Sequence, residues 1–248
     1  VSLTSVKVSG DAGAIETAIS YPPKATSTGR LLLLCHGLPL STGGGRIASQ
    51  QLPELAERFS AEVGWAVAVA SLRGVGASPG TFSASGWRAD LAAVISALGP
   101  QHDGIVLAGF GFGGALTLAT AVEDDSVRGV ATMATPADLA SWCGPAAHFA
   151  EACARAGVVG REPLLEAEAL LADVLALDPV GSVASLGRRR LMIIHGADDR
   201  IVPVAAARQL VESAGGRAEL RIIPGAGHWL RPDPRMVATL TGWLDRMR

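Results

Sequence analysis

At 248 residues the chain is long enough for one large α/β domain with a substantial buried core. Hydrophobic residues make up 49% and charged residues 18%, a balance that excludes a disordered chain. The net charge is −2, from 21 basic and 23 acidic side chains, with no basic stripe, so no nucleic-acid partner is expected.

Lys7 and Lys24 are the only lysines, and arginine carries nearly all the positive charge; with the abundant Ala and Gly this points to a bacterial source. Cys35, Cys143 and Cys153 have neither metal-ligand nor disulfide-framework spacing. No signal peptide is legible, and no apolar run reaches the ~20 residues that cross a bilayer. The expectation is a cytoplasmic protein with no membrane partner, no metal and no cofactor. Nothing in the sequence sets an oligomeric state.

Short apolar runs alternate with helix-like segments, the pattern of a mostly parallel sheet covered on both faces. Leu3–Val8 and Ala14–Ser20 alternate apolar with polar residues and predict an antiparallel edge. Leu31–Cys35 is the first buried strand and leads into His36-Gly37-Leu38-Pro39. A helix is expected near Ala48–Val63, then a strand at Trp65–Ser71 that ends in Arg73-Gly74-Val75-Gly76-Ala77-Ser78. Trp87, Leu91, Val94, Ile95 and Leu98 recur at helical spacing within Gly86–Leu98.

Gly104–Ala108 reads as a strand running into Gly109-Phe110-Gly111-Phe112-Gly113, with a helix over Ala115–Val122 and a strand at Val127–Ala134. Between Leu139 and Pro179 the alternation stops, and two helix-like stretches suggest an insert, a candidate lid. It resumes with a strand at Leu191–Ile194, then His195-Gly196-Ala197-Asp198-Asp199 and a helix near Val204–Ala214. A strand at Glu219–Ile223, Gly225-Ala226-Gly227-His228 and an amphipathic helix from about Pro234 to Met247 close the chain.

Two motifs compete for the mid-chain glycines. Gly109-x-Gly111-x-x-Gly114 matches a dinucleotide fingerprint, but the acidic residue expected about 20 positions on is absent, since Met133, Ala134 and Thr135 stand there. The second motif is the strand-to-helix elbow Gly-x-Ser-x-Gly, with small residues at Gly109 and Gly113 and glycine at its centre. That fold orders its triad as nucleophile, acid, histidine. Asp199 follows a late strand and His228 the last one, in that order.

On these residues, from His36-Gly37 through the Arg-Gly-x-Gly-x-Ser loop to His228, the chain resembles the α/β-hydrolase superfamily, in particular small esterase-like and serine-aminopeptidase-like members. The resemblance implies one α/β-hydrolase domain over the whole chain, with residues 139–179 as a helical lid insert. It implies that Asp199 orients His228, that His228 faces position 111, and that the N–H groups of Leu38 and Phe112 form an oxyanion hole. The departure is Gly111, where a nucleophilic serine is expected.

The other candidates have plainer readings. His36 belongs to the oxyanion-loop motif, where its task is to brace backbone, and with Trp142 and His148 it is a candidate pocket residue. His195 fits a structural histidine at a strand end. Ser78 holds a turn, Ser71 is a displaced-nucleophile candidate by location alone, and Asp198 is a candidate cap for the following turn. Gly43-Gly44-Gly45-Arg46 lacks the ending of a phosphate loop and reads as a flexible connector.

Glycine at the elbow is expected to relax a strained turn, because it adopts positive φ without a Cβ penalty. It also removes covalent serine catalysis. The leading reading is a pseudo-hydrolase that binds a small, possibly apolar ligand or a partner in the former pocket. The alternatives are a hydrolase inactivated by serine-to-glycine replacement, one that activates water through His228 and Asp199, and a dinucleotide-binding protein.

Overall fold

The computed structural model describes residues 1–160 and 166–247. Two strands open the chain, β1 (Ser2–Gly10) and β2 (Gly13–Tyr21), paired antiparallel in a hairpin as their alternation requires. They continue into β4 (Ala66–Ala70), antiparallel to β2, and β3 (Leu31–Cys35), parallel to β4. From β3 the sheet runs in parallel through β5 (Ile105–Phe110), β6 (Val127–Met133), β7 (Arg190–Gly196) and β8 (Ala218–Ile223). The strand order is β1-β2-β4-β3-β5-β6-β7-β8. It differs from the 3-2-1-4-5-6 order of dinucleotide-binding sheets.

The central strands are apolar on both faces because helices cover both. Leu31, Leu33, Ala68 and Leu107 pack on one side beneath α2 (Ala84–Leu98), α3 (Phe112–Glu123) and α8 (Ala205–Ser213). Leu32, Leu34, Val67 and Val106 face α1 (Leu52–Val63) and α9 (Pro234–Asp245). Parallel strands deliver all their C-terminal ends to one edge, and His36, Gly111, Asp199 and His228 all lie in the connections that leave that edge.

Between β6 and β7 lie α4 (Leu139–Cys143), α5 (Ala146–Ala156), α6 (Ala167–Leu175) and α7 (Pro179–Ser185). The helical segment thus continues beyond residue 179, and residues 161–165 of the expected insert lie outside the described residues. Side-chain and backbone hydrogen bonds tie the segment down. Asp173 of α6 accepts the N–H groups of Ala84 and Ser85 at the start of α2, and Val158 accepts Phe82 N–H at 2.7 Å.

The run Gly43–Arg46 corrects the flexible connector expected there. Gly44 and Gly45 are buried, Gly43 N–H donates to Arg155 at 2.8 Å, and a Cβ on Gly45 would come 2.9 Å from the Ala156 carbonyl. The glycines permit a close approach between this loop and α5.

Candidate active site at the elbow after the fifth strand

β5 ends at Phe110 and α3 begins at Phe112, leaving Gly111 alone to reverse the chain. Its backbone sits at φ 54° and ψ −122°, held by a bond from Gly111 N–H to the Met133 carbonyl at 2.7 Å. The relief expected of glycine lies in its missing Cβ, not in a changed backbone angle. The turn keeps the positive φ of a tight elbow, and glycine occupies it without the penalty a Cβ would bring. A Cβ built on Gly111 would point at His228, 3.6 Å from Nε2 and 3.9 Å from Cε1.

The flanking glycines are required by close packing. A Cβ on Gly109 would collide with the Gly113 carbonyl, one on Gly113 with the His36 carbonyl, and one on Gly114 with Thr135 Oγ1. The Gly113 approach presses the first turn of α3 against the loop after β3. Leu38 and Phe112, the two residues expected to offer N–H groups, lie on the two segments so joined and are both buried.

Asp199 and His228, the pair the resemblance implies, lie within hydrogen-bond distance. His228 Nδ1 lies 2.9 Å from Asp199 Oδ2, leaving Nε2 directed at position 111. Asp199 Oδ1 accepts the N–H groups of Ile201 at 2.9 Å and Val202 at 2.8 Å. Burial alone would push this carboxyl up. Hydrogen bonds from His195, His228, Val202 and Ile201 outweigh that and hold it well below the usual carboxylate range. Asp199, not Asp198, caps the following turn; Asp198 is exposed and its N–H donates to Ala226 at 2.9 Å.

The other candidates separate. His36 is fully buried, which removes it from any pocket wall. Its Nδ1 donates to the Gly37 carbonyl at 3.0 Å, Nε2 accepts Leu72 N–H at 3.2 Å, and Trp87 packs edge-on. Burial pushes its pKa down to about 4, the Gly37 bond opposes this, and the charge of Arg231 adds to it. Trp142 stacks on Phe112 with ring centres 5.8 Å apart and also meets Phe149, so the helices after β6 contact the elbow through aromatic rings. His148 lies exposed on α5.

Neither serine candidate has the surroundings of a nucleophile. Ser71 Oγ bonds Ser49 Oγ at 2.7 Å. Ser78 Oγ donates to the Ser71 carbonyl at 2.6 Å and accepts Glu16 N–H at 3.0 Å, as a turn-holding residue does. The thiols of Cys35, Cys143 and Cys153 are pushed up to about 12, mainly by burial, and stay protonated.

Some features escaped the sequence. Arg73, in the loop after β4, pairs with buried Asp90 of α2 at 2.6 Å and also meets Asp11. Arg231 donates to the Ala48 carbonyl at 3.1 Å, linking the His228 loop to the loop after β3. Trp229 is 69% exposed beside His228. No local pattern marks these contacts, because each joins distant segments. Among the described residues, no cluster of three His, Cys, Asp or Glu side chains suits a metal ion, and no helix is long and apolar enough to cross a membrane.

The family model of the alpha/beta hydrolase fold matches residues 30–156, and the chain belongs to that family. No curated protein sequence matches it. Among solved structures it is similar to an α/β serine hydrolase without lid from Xanthomonas campestris, with TM-score 0.67 and 23% identity over 99% of this chain and 93% of that one. It is also similar to an esterase from Pyrococcus furiosus, with TM-score 0.72 and 15% identity over 99% and 90%. A third is a meta-cleavage product hydrolase from Pseudomonas fluorescens, solved as a serine-to-alanine mutant complexed with acetates, with TM-score 0.64 and 16% identity over 98% of each chain. At these identities the likeness shows the fold alone.

Proposed function

We propose that this chain binds a small molecule non-covalently in the space between Gly111 and His228, with Gly111 standing where relatives carry the serine nucleophile. The observation that carries this is the direction of the missing side chain, since a Cβ at Gly111 would meet His228 Nε2 at 3.6 Å. An acceptor of the serine proton is in place, while glycine supplies nothing to attack a carbonyl. The N–H groups of Leu38 and Phe112 would hold an acyl or carboxylate oxygen of the ligand. In this reading the helices after β6 act as its lid, with Trp142 stacked on Phe112 beside the elbow and offering an apolar ring.

A second reading is favoured by the 2.9 Å bond between His228 and Asp199. It makes His228 the general base for a water beside Gly111, hydrolysing an ester or amide without an acyl-enzyme. A serine replaced by glycine in an otherwise ordinary hydrolase predicts the same starting geometry.

The deciding experiment compares the wild-type chain with Gly111→Ser. The wild type is expected to resist fluorophosphonate labelling and to bind acetate in an NMR titration. The variant is expected to label at residue 111 and to hydrolyse 4-nitrophenyl acetate. A variant that folds but neither labels nor hydrolyses overturns the reading. Wild-type esterase activity abolished by His228→Ala selects the second reading.

A further inference from the structure

Two imidazoles approach Asp199, and only one of them faces Gly111. The other, His195, lies fully buried in β7, four residues before the carboxylate. Its Nε2 is 2.9 Å from the Val202 carbonyl oxygen and 3.4 Å from Asp199 Oδ2. A carbonyl only accepts, so Nε2 carries the hydrogen; the main bond goes to Val202 and the carboxylate takes the weaker share.

Val202 N–H in turn donates to Asp199 Oδ1. One residue of the turn is thus gripped at both its polar groups, by Asp199 at the amide and by His195 at the carbonyl. His195 Nδ1 has no hydrogen-bond partner among the described residues. An apolar ring would fill the same space without burying an unpaired nitrogen, so packing alone does not account for a histidine here.

We propose that His195 is a positioning residue for the Asp199–His228 pair. The inference rests on reading that pair as functional. The His195 Nε2 hydrogen anchors the turn over residues 199–202 and sets the rotation of the carboxylate, so that Oδ2 faces His228 while Oδ1 stays on the backbone. His228 is thereby aimed at position 111, the part an outer partner plays for a histidine in a site.

The test reads the His228 Nδ1 proton by NMR, where a hydrogen shared with a carboxylate resonates far downfield of the amides. In the wild-type chain, nitrogen shifts of the His195 ring are expected to show hydrogen on Nε2. Hydrogen on Nδ1 alone overturns the proposal, and this measurement needs no variant. In His195→Phe the His228 resonance is expected to move or broaden away while melting stays cooperative. In His195→Gln, whose amide reaches toward Val202, it is expected to return. A folded phenylalanine variant with an unchanged resonance, or a glutamine variant that behaves like phenylalanine, overturns the proposal.

In the Gly111→Ser background, His195→Phe should lower kcat on 4-nitrophenyl acetate about a hundredfold and leave KM within about twofold. Should Gly111→Ser itself be inactive, the functional reading fails while the resonance still decides the role of His195.

Discussion

Gly113 lies so close to the carbonyl oxygen of His36 that no room is left for a methyl group between α3 and the loop after β3. Gly113→Ala is therefore expected to destabilise the fold. Alanine would gain about 1 kcal/mol of helix propensity. Overpacking costs about 1–3 kcal/mol, and here it must force apart two buried backbone segments, so the collision wins. Urea unfolding checks the sign; a more stable variant would contradict the packing described.

Gly111→Ser tests the opposite property, because position 111 has space but a hostile backbone angle. The variant is expected to fold with a loss of about 1–3 kcal/mol, the cost of a side chain at φ 54°. Denaturation midpoints measure the loss, and 4-nitrophenyl acetate turnover measures the gain of function. Stability and activity should move in opposite directions.

Asp90 and Arg73 form an ion pair in which the carboxylate is almost wholly enclosed. Asp90→Ala leaves the guanidinium with its pairing at the rim to Asp11 and should cost about 3 kcal/mol. Because Trp87 Nε1 also donates to the Arg73 carbonyl at 2.9 Å, the change should alter tryptophan emission. Unchanged fluorescence and an unchanged melting point would rule out a structural role for the pair.

His36 makes stability depend on pH. Its Nε2 accepts Leu72 N–H, so protonating it would set two donors against each other in a buried site. Its folded pKa, about 4, lies below the unfolded value of 6.5. Between those values the unfolded chain binds a proton that the folded chain refuses, so stability falls as the pH falls. The loss from this group is roughly 3 kcal/mol. Asp199, with its pKa depressed, contributes stability that is complete above the ordinary carboxylate range and disappears on further acidification. Urea unfolding at pH 7, 5.5 and 4 measures the slope, and His36→Gln should flatten the portion between 6.5 and 4. A wild-type slope that persists in that variant would locate the effect elsewhere.

Periodicity carried most of the fold. Leu31–Cys35 reads as a strand from its unbroken apolar run, and the hairpin of β1 and β2 follows from alternation around Gly10–Gly13. Boundaries failed where glycines cluster. The strand expected to stop at Ala108 runs to Phe110, and the helix expected from Ala115 starts at Phe112, because Gly109, Gly111, Gly113 and Gly114 lower both local propensities. Those glycines answer to neighbours far along the chain, at His36 and Thr135, which no local window contains.

The sequence by itself determined the order of the elements, the parallel sheet and the placing of Gly111, Asp199 and His228 after the fifth, seventh and eighth strands, because these depend on residue type and local spacing. Tertiary structure decided which groups touch. It turned His228 Nε2 toward Gly111, set His195 behind Asp199, enclosed His36 and packed the glycine loop against α5. Hydrogen bonds and close contacts depend on positions to within a few tenths of an ångström, and only the folded sheet edge, where distant loops converge, sets those positions.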